Sequence, residues 1–290
     1  MRFRNMRSGF TIVELMLCIG IVSLLLAMIL PAIIRVRDLA SQMLSKNNMR
    51  QIMTAIHQFE GDYKRFPWLQ ADDGPVLVQI LPYIEDQAAH RHWQQYHNSS
   101  LAIRTYLSPS DPSLSDLNRA KSLSSYAMNA QVFYATRSLS KGVPDGASYT
   151  IGIAEHYAYR IDKTNFSWAA NFPTDVTFGN PPKYIYTHRA TFADSGPGII
   201  TSGMIDLNDV YPVKNPKSGL TVSSIPGKTF QCRPSIETAD PRIPQSPHTS
   251  MLTAMLDGSV RSLSSNIAEH VFWSIVTPAG GEAVSDDLLE

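Results

Sequence analysis

The apolar positions of the chain fall into two unlike patterns. Over residues 10–34 they are continuous, FTIVELMLCIGIVSLLLAMILPAII, with a single charge at Glu14. The 20 residues 15–34 carry no charge, and that is the length a helix needs to cross a lipid core. Beyond Pro31 the pattern turns periodic. Leu39, Met43, Ile52, Met53, Ile56 and Phe59 recur at helical spacing, with Arg35, Asp38, Lys46, Arg50 and Glu60 largely on other faces. Together the two stretches predict one helix of about 45–50 residues. A kink is expected near Pro31, where an amide is missing, and an end at Gly61-Asp62. The half at 10–34 is expected in a membrane, and the half at 35–60 along a sheet.

Residues 61–290 alternate short apolar runs with turn residues. The run 76–84 is apolar and interrupted by Pro82, and 85–98 reads as a short amphipathic helix. Residues 123–134 and 148–156 read as strands divided by the turn Val143-Pro144-Asp145-Gly146. Runs 251–256 and 259–263 flank Asp257-Gly258, a hairpin signal in which glycine accepts a positive φ. Residues 266–276 read as a helix with Asn266 as N-cap and Glu269 at the box position. Prolines, glycines and polar residues dominate 165–247, where short strands and long loops are expected. The fold class is α+β: a long N-terminal helix packed on a mainly antiparallel sheet.

Charge and composition narrow the function. The 290 residues hold 25 basic and 25 acidic side chains, which argues against a nucleic-acid partner. A hydrophobic share of 43% excludes a disordered chain. Two cysteines cannot build a disulfide scaffold, and Cys18 sits in the apolar run, so a bridge to Cys232 is not expected. Arg2, Arg4 and Arg7 precede the span without an acid and favour a cytoplasmic N-terminus; Arg35 and Arg37 weaken that bias. A secretory signal would be shorter and followed by a small-residue cleavage site. A plain anchor leaves Glu14 unexplained, since a carboxylate at mid-membrane costs roughly 2.5–3.5 kcal/mol.

Candidate chemistry is sparse. Asp194-Ser195-Gly196-Pro197 with His188 lacks the rest of a triad. Of His90, His92 and His97, only the first and last share a helix face. Gly227-Lys228-Thr229 has Val222 where a phosphate loop needs its first glycine. Glu155 and Asp257 could pair as carboxylates, although a turn role for Asp257 is favoured. No catalytic residue, cofactor or metal site is expected.

The segment Ser8-Gly9-Phe10-Thr11-Ile12-Val13-Glu14 resembles the class III signal of type IV pilins and type II secretion pseudopilins. That resemblance implies a prepilin peptidase that cuts after Gly9 and N-methylation of Phe10. Glu14 becomes the fifth mature residue and Pro31 the twenty-second. The new amine at Phe10 could then pair with Glu14 of a neighbouring subunit and set assembly register. In major pseudopilins a C-terminal loop binds calcium; Asp206, Asn208 and Asp209 could do so here but lack a rigid ligand set.

A wider resemblance is to the bacterial DUF1559 family, which joins such an N-terminus to a C-terminal H-X9-DG element. It rests on 45–52 (SKNNMRQI), Tyr63 with Phe66-Pro67, 81–85 (LPYIE), Pro109-Ser110-Asp111 and 125–130 (SYAMNA). Asp145-Gly146-Ala147-Ser148 with Glu155, 244–248 (PQSPH), 257–261 (DGSVR) and 277–282 (TPAGGE) continue it. The chain departs from the pattern at Ser45 and Ser108, where relatives often have cysteine. It departs again in having eight residues, not nine, between His248 and Asp257-Gly258. The resemblance implies a non-enzymatic, membrane-anchored pseudopilin-like subunit. Its leader would be 1–9, its membrane half 10–34, its external half-helix 35–60 and its external domain 61–290. Its partners would be the peptidase, membrane lipid, and its own copies or other pseudopilins. It would cross the inner membrane once, with the C-terminal domain outside the cytoplasm. The alternative is a membrane-tethered module that binds a solute, glycan or surface partner.

Overall fold

The computed structural model describes residues 11–69, 73–84, 86–96, 101–114, 122–133, 142–159, 164–169, 174–177, 185–193, 229–239 and 243–279. Helix α1 (Ile12–Tyr63) is a single run of 52 residues. The chain divides within it into two units, Met1–Met43 and Leu44–Glu290.

In the first unit every described residue from 11 to 40 is exposed. Val13, Met16 and Met28 are each at least 70% exposed. A continuous apolar surface of this length has no place in water and suits lipid or neighbouring helices. The helix runs through Pro31, which has no N–H to give the Ala27 carbonyl.

In the second unit α1 buries Ser45, Met49, Ile52, Met53, Ala55, Ile56 and Phe59. Burying each large apolar chain contributes about 1.5–3 kcal/mol. Leu39 and Met43, which periodicity counts into this stripe, are about 60% exposed. Periodicity marks a face of the helix and not the length of the surface that covers it. The helix also outlasts Gly61-Asp62. Gly61 lies inside it, and Lys64, at φ 58°, ends it by donating its N–H to the Glu60 carbonyl.

The main sheet holds five strands: β1 (Tyr126–Asn129), β2 (Ile151–Glu155), β6 (Thr191–Phe192), β9 (Ser250–Met255) and β10 (Val260–Ser264). Their order is β10-β9-β2-β1-β6, antiparallel except between β1 and β6. Tyr126, Met128, Ile153, Leu252 and Ala254 face α1. Ala127, Ile151, Ala154, Met251 and Met255 pack instead with Phe272, Ile275 and Val276 of helix α5 (Glu269–Val276). With both faces covered, β1 and β2 are buried at every position. Two further sheets are β3-β5-β4 (Thr164–Ser167, Ile185–Arg189, Thr174–Thr177) and β7-β8 (Gln231–Cys232, Gln245–Ser246). These give the expected 165–247 region its short strands, as far as it is described.

Several local expectations change. The strand expected over 123–134 stops at Asn129, whose Oδ1 accepts the Gln131 N–H and caps helix α4 (Ala130–Phe133). The run 76–84 is helix α2 (Val76–Gln79) followed by a 3₁₀ turn over Leu81–Ile84. The amphipathic segment is helix α3 (Gln87–Tyr96). Helix α5 starts three residues after Asn266, with Ala268 as an N-cap that has no side-chain bond. Asn266 instead gives its N–H to Ser264 Oγ in the preceding turn, so no capping box forms there.

Gly74 precedes α2 at φ 105°, and a Cβ there would lie 2.7 Å from the Trp93 ring and 2.8 Å from Val78. Trp93 is held by its own N–H on the Ala169 carbonyl. Gly74→Ala should therefore cost about 2–3 kcal/mol from the strained backbone and the overlap. Denaturant unfolding of the two chains checks this; an unchanged midpoint would show that Trp93 yields freely.

Candidate functional site

The N-terminal site is legible residue by residue. Gly9 and Phe10 lie outside the described residues. Thr11 is the N-cap of α1: its N–H and its hydroxyl both donate to Glu14 Oε2, at 2.9 and 2.8 Å, and Glu14 N–H donates back to Thr11 Oγ1 at 3.3 Å. This is a capping box, two helix-end donors satisfied reciprocally. The spacing Thr11-x-x-Glu14 is the signal for it in the sequence, beside the pilin resemblance of the same residues. Glu14 thus has a partner within its own chain as well as the one that the pilin resemblance implies.

The second site is a buried acid network in the second unit. Glu155 closes β2 opposite Tyr126 of β1. Cross-strand partners share a face, here the one α1 covers. The Ser45 hydroxyl donates to Glu155 Oε1 at 3.1 Å and lies 3.0 Å from the Tyr126 hydroxyl. Ser45 has one proton, so Tyr126 donates to it. Asn48 in turn donates to the Tyr126 hydroxyl at 3.3 Å and to the Leu107 carbonyl at 3.1 Å. The other oxygen, Oε2, accepts Ser246 Oγ at 2.7 Å and the Leu252 N–H at 3.3 Å.

Glu155 is 1% exposed and these partners are neutral. Burial pushes its carboxyl up to about 7, against the pull of Ser246, Leu252 and Ser45; the nearby Asp111 charge pushes the same way. Asp111 is itself buried. Its Oδ2 accepts Ser125 Oγ and the Ala158 N–H, and its Oδ1 accepts Ser113 twice. Burial raises its pKa too, partly offset by those bonds. Burial likewise raises the Tyr126 phenol well above its usual range. These polar groups lie deep in the fold, and the raised carboxyl is suited to holding a proton.

The other sequence candidates scatter. Asp257 N–H bonds the Ala147 carbonyl and Leu256 N–H the Thr150 carbonyl, so Asp257 stands beside the start of β2. Glu155 ends that strand, about 13 Å away along it. The two carboxylates therefore form no pair. Asp257 serves the turn, accepting the Ser259 N–H at 2.8 Å, and Gly258 supplies φ 87°. His248 lies in the β8–β9 connection, its N–H on Ser246 Oγ at 3.2 Å. Six-residue β9 separates it from Asp257-Gly258, about 20 Å of strand. Pro31 is helical within α1. His92 stacks near Tyr96, and among the described residues no group of three His, Cys, Asp or Glu could hold a metal. His97, Asp194, Ser195, Asp206, Asn208, Asp209, Gly227 and Lys228 lie outside the described residues, as does the side chain of His188.

The sequence reading missed Ser45 and Ser246 as partners of Glu155, and Asp111 as its acidic neighbour. It had them all in the stretches that carry the family resemblance: 45–52, 109–111, 125–130, Glu155 and 244–248. In the structure those stretches meet at one point. The Ser108 hydroxyl donates to Ser45 Oγ at 3.4 Å, so the two positions where relatives often have cysteine touch.

An uncharged 20-residue span at the start of a long helix, ahead of an α+β unit, fits a prepilin-like protein. Residues 4–30 match the prokaryotic N-terminal methylation motif. Residues 35–140 match the family described as protein of unknown function DUF1559. These matches bear out the resemblance over residues 4–30 and 35–140; Pro31 and the stretches from 145 onward lie outside the matched residues. No curated protein and no solved structure among those compared matches the chain. The methylation motif implies processing by a prepilin peptidase and pilin-like assembly, and points to a structural subunit. Helix α1 is long and apolar enough to serve as a single-pass anchor.

Proposed function

We propose that the chain is a membrane-anchored pseudopilin-like subunit of a type II secretion or type IV pilus-like assembly. A prepilin peptidase cuts after Gly9, Phe10 is methylated, and the apolar part of α1 joins the helices of other subunits. The N-terminus faces the cytoplasm, and the second unit lies on the far side of the inner membrane. The observation that supports this most is the methylation-motif match over 4–30 on a helix whose apolar side chains are all exposed over 12–34.

Glu14 has two duties under this reading: it caps its own helix, and it pairs with the Phe10 amine of a neighbour. The variant Glu14→Gln separates them. Glutamine fills a capping box as glutamate does, but it cannot neutralise a cation. Glu14→Gln should keep membrane retention and helix content while losing co-assembly, read by crosslinking in a host with an active peptidase. Intact-mass measurement of the mature chain should show a start at methylated Phe10; an uncut leader would remove the assembly reading. The 247-residue second unit, Leu44–Glu290, is large for a filament building block and favours the tethered binding module as the second reading. In that case Glu14→Gln changes neither retention nor ligand binding.

A further inference from the structure

The hydrogen-bond partners of buried Glu155 can serve either of its charge states. Ser246 Oγ has one proton and two acceptors in reach, Glu155 Oε2 at 2.7 Å and the Ser250 carbonyl at 2.9 Å. With Glu155 ionised, Ser246 donates to the carboxylate. With Glu155 protonated, the carboxyl donates to Ser246 Oγ, and Ser246 turns its proton to Ser250. Both states are satisfied without moving a heavy atom. The donors around Glu155 come from four elements: α1 through Ser45, β8 through Ser246, β9 through the Leu252 amide, and β1 through Tyr126 behind Ser45.

We propose that Glu155 is a proton-operated clamp between the 45–59 segment of α1 and the main sheet. Protonated, it is a neutral, fully bonded tie. Ionised, it keeps those hydrogen bonds but becomes a buried charge that, among the described residues, meets only neutral donors, and the cost of burying it weakens the packing of α1 on the sheet.

Among the described residues, the titratable groups that couple to it are Asp111 from the turn after Ser108, Tyr126 of β1, Tyr157 beyond β2, and Cys232 of β7. His156 follows Glu155 in the chain, its Nδ1 at the Tyr157 carbonyl, and His248 follows Ser246 by two residues. From α1, Ser45 and Asn48 are neutral; β8 and β9 bring a hydroxyl and an amide. Asp111 is raised in the same direction, so it adds to the response at the acid end. The tyrosines and Cys232 are raised by burial and stay neutral through the window.

The sign follows from the raised carboxyl. Its proton is held more tightly folded than unfolded, so the clamp is complete below pH 4.5 and is lost as pH rises through about 7. Native-state hydrogen exchange on the full chain in detergent micelles reads this at the α1 amides of residues 49–59. After correction for intrinsic rates, protection should fall on the order of 100-fold between pH 5 and pH 8. In Glu155→Gln the fall should shrink to the part that Asp111 supplies, and Asp111→Asn should retain most of it. A flat wild-type profile, or an equal fall in Glu155→Gln, would overturn the clamp. Should Glu155→Gln fail to fold, the wild-type Glu155 carboxyl can be titrated by carbon-13 NMR. A midpoint near 7 supports the clamp, and one at or below 4.5 sinks it. Neither readout depends on whether the chain assembles.

Discussion

At pH 5, Glu155→Ala is expected to lower the stability of the second unit by about 2–4 kcal/mol. At this pH the protonated carboxyl accepts from Ser45 and Leu252 and donates to Ser246. Ser246 already donates to the Ser250 carbonyl in that state, so it loses little. The Leu252 N–H has no such recourse, and a buried orphan amide costs about 1–3 kcal/mol. The Ser45 hydroxyl loses its acceptor as well, and the missing carboxyl and methylene leave a cavity between α1 and the sheet. The effect should shrink at pH 8. The wild-type chain itself loses up to about 3 kcal/mol as pH rises from 4.5 through about 7, because 1.36 kcal/mol attends each unit of the raised carboxyl. Alanine has no charge to bury, so the two stability curves converge with rising pH. Denaturant midpoints at pH 5 and pH 8 test this. Curves that stay parallel would show that Glu155 is ionised throughout and held by its donors.

The second large effect is a gain. In Ser45→Cys with Ser108→Cys the two thiols should oxidise to a disulfide, because the two hydroxyls already lie 3.4 Å apart in the core. The loop spans 63 residues, and its closure entropy sets a ceiling of about 4 kcal/mol. Against this stand the Ser45 bonds to Glu155 and Tyr126, each about 1 kcal/mol. The expected net gain is about 2 kcal/mol over the wild-type chain, and the reduced double variant should be less stable than wild type. Unfolding midpoints with and without reductant read both numbers. If no crosslink forms, the Cβ vectors at 45 and 108 diverge, and the family's cysteine positions do not form a pair on this backbone.

The two sites differ in how much the chain declares locally. Thr11 and Glu14 form a box because they are three residues apart on one helix turn, so the spacing alone contains the geometry. The Asp257-Gly258 hairpin is legible for the same reason: the turn, its positive φ and both strands lie within 15 residues, 250–264. Glu155 is the opposite case. Its partners sit 110 residues before it, at Ser45, and 91 after it, at Ser246. No local pattern relates such positions, and the sequence reading tried Asp257 instead. The clue that existed was indirect: the stretches resembling one family were the ones that converge.

Helix ends show the same division. Periodicity located the stripe from Ile52 to Phe59 but carried it back to Leu39 and Met43, which are exposed. Gly61-Asp62 reads as a stop, yet the helix ends at Lys64 by a backbone bond to Glu60. The strand expected to continue past Asn129 is cut by that residue's own side chain, while its Nδ2 reaches the Ile151 and Val276 carbonyls, both at 2.7 Å.

The amino-acid order by itself determined the apolar span, the methylation-motif match over 4–30, the long helix, the cap at its start and the C-terminal hairpin. Each depends on neighbours within a few turns or on uninterrupted composition, which a chain carries wherever it goes. Tertiary structure alone decided that helix α5 covers the far face of the sheet. It alone brought Ser45, Tyr126, Glu155 and Ser246 around one proton, and left His248 and Asp257 at opposite ends of β9. Those outcomes depend on strand order and on which faces are covered. Both are set by the packing of segments a hundred residues apart, and linear spacing holds no record of them.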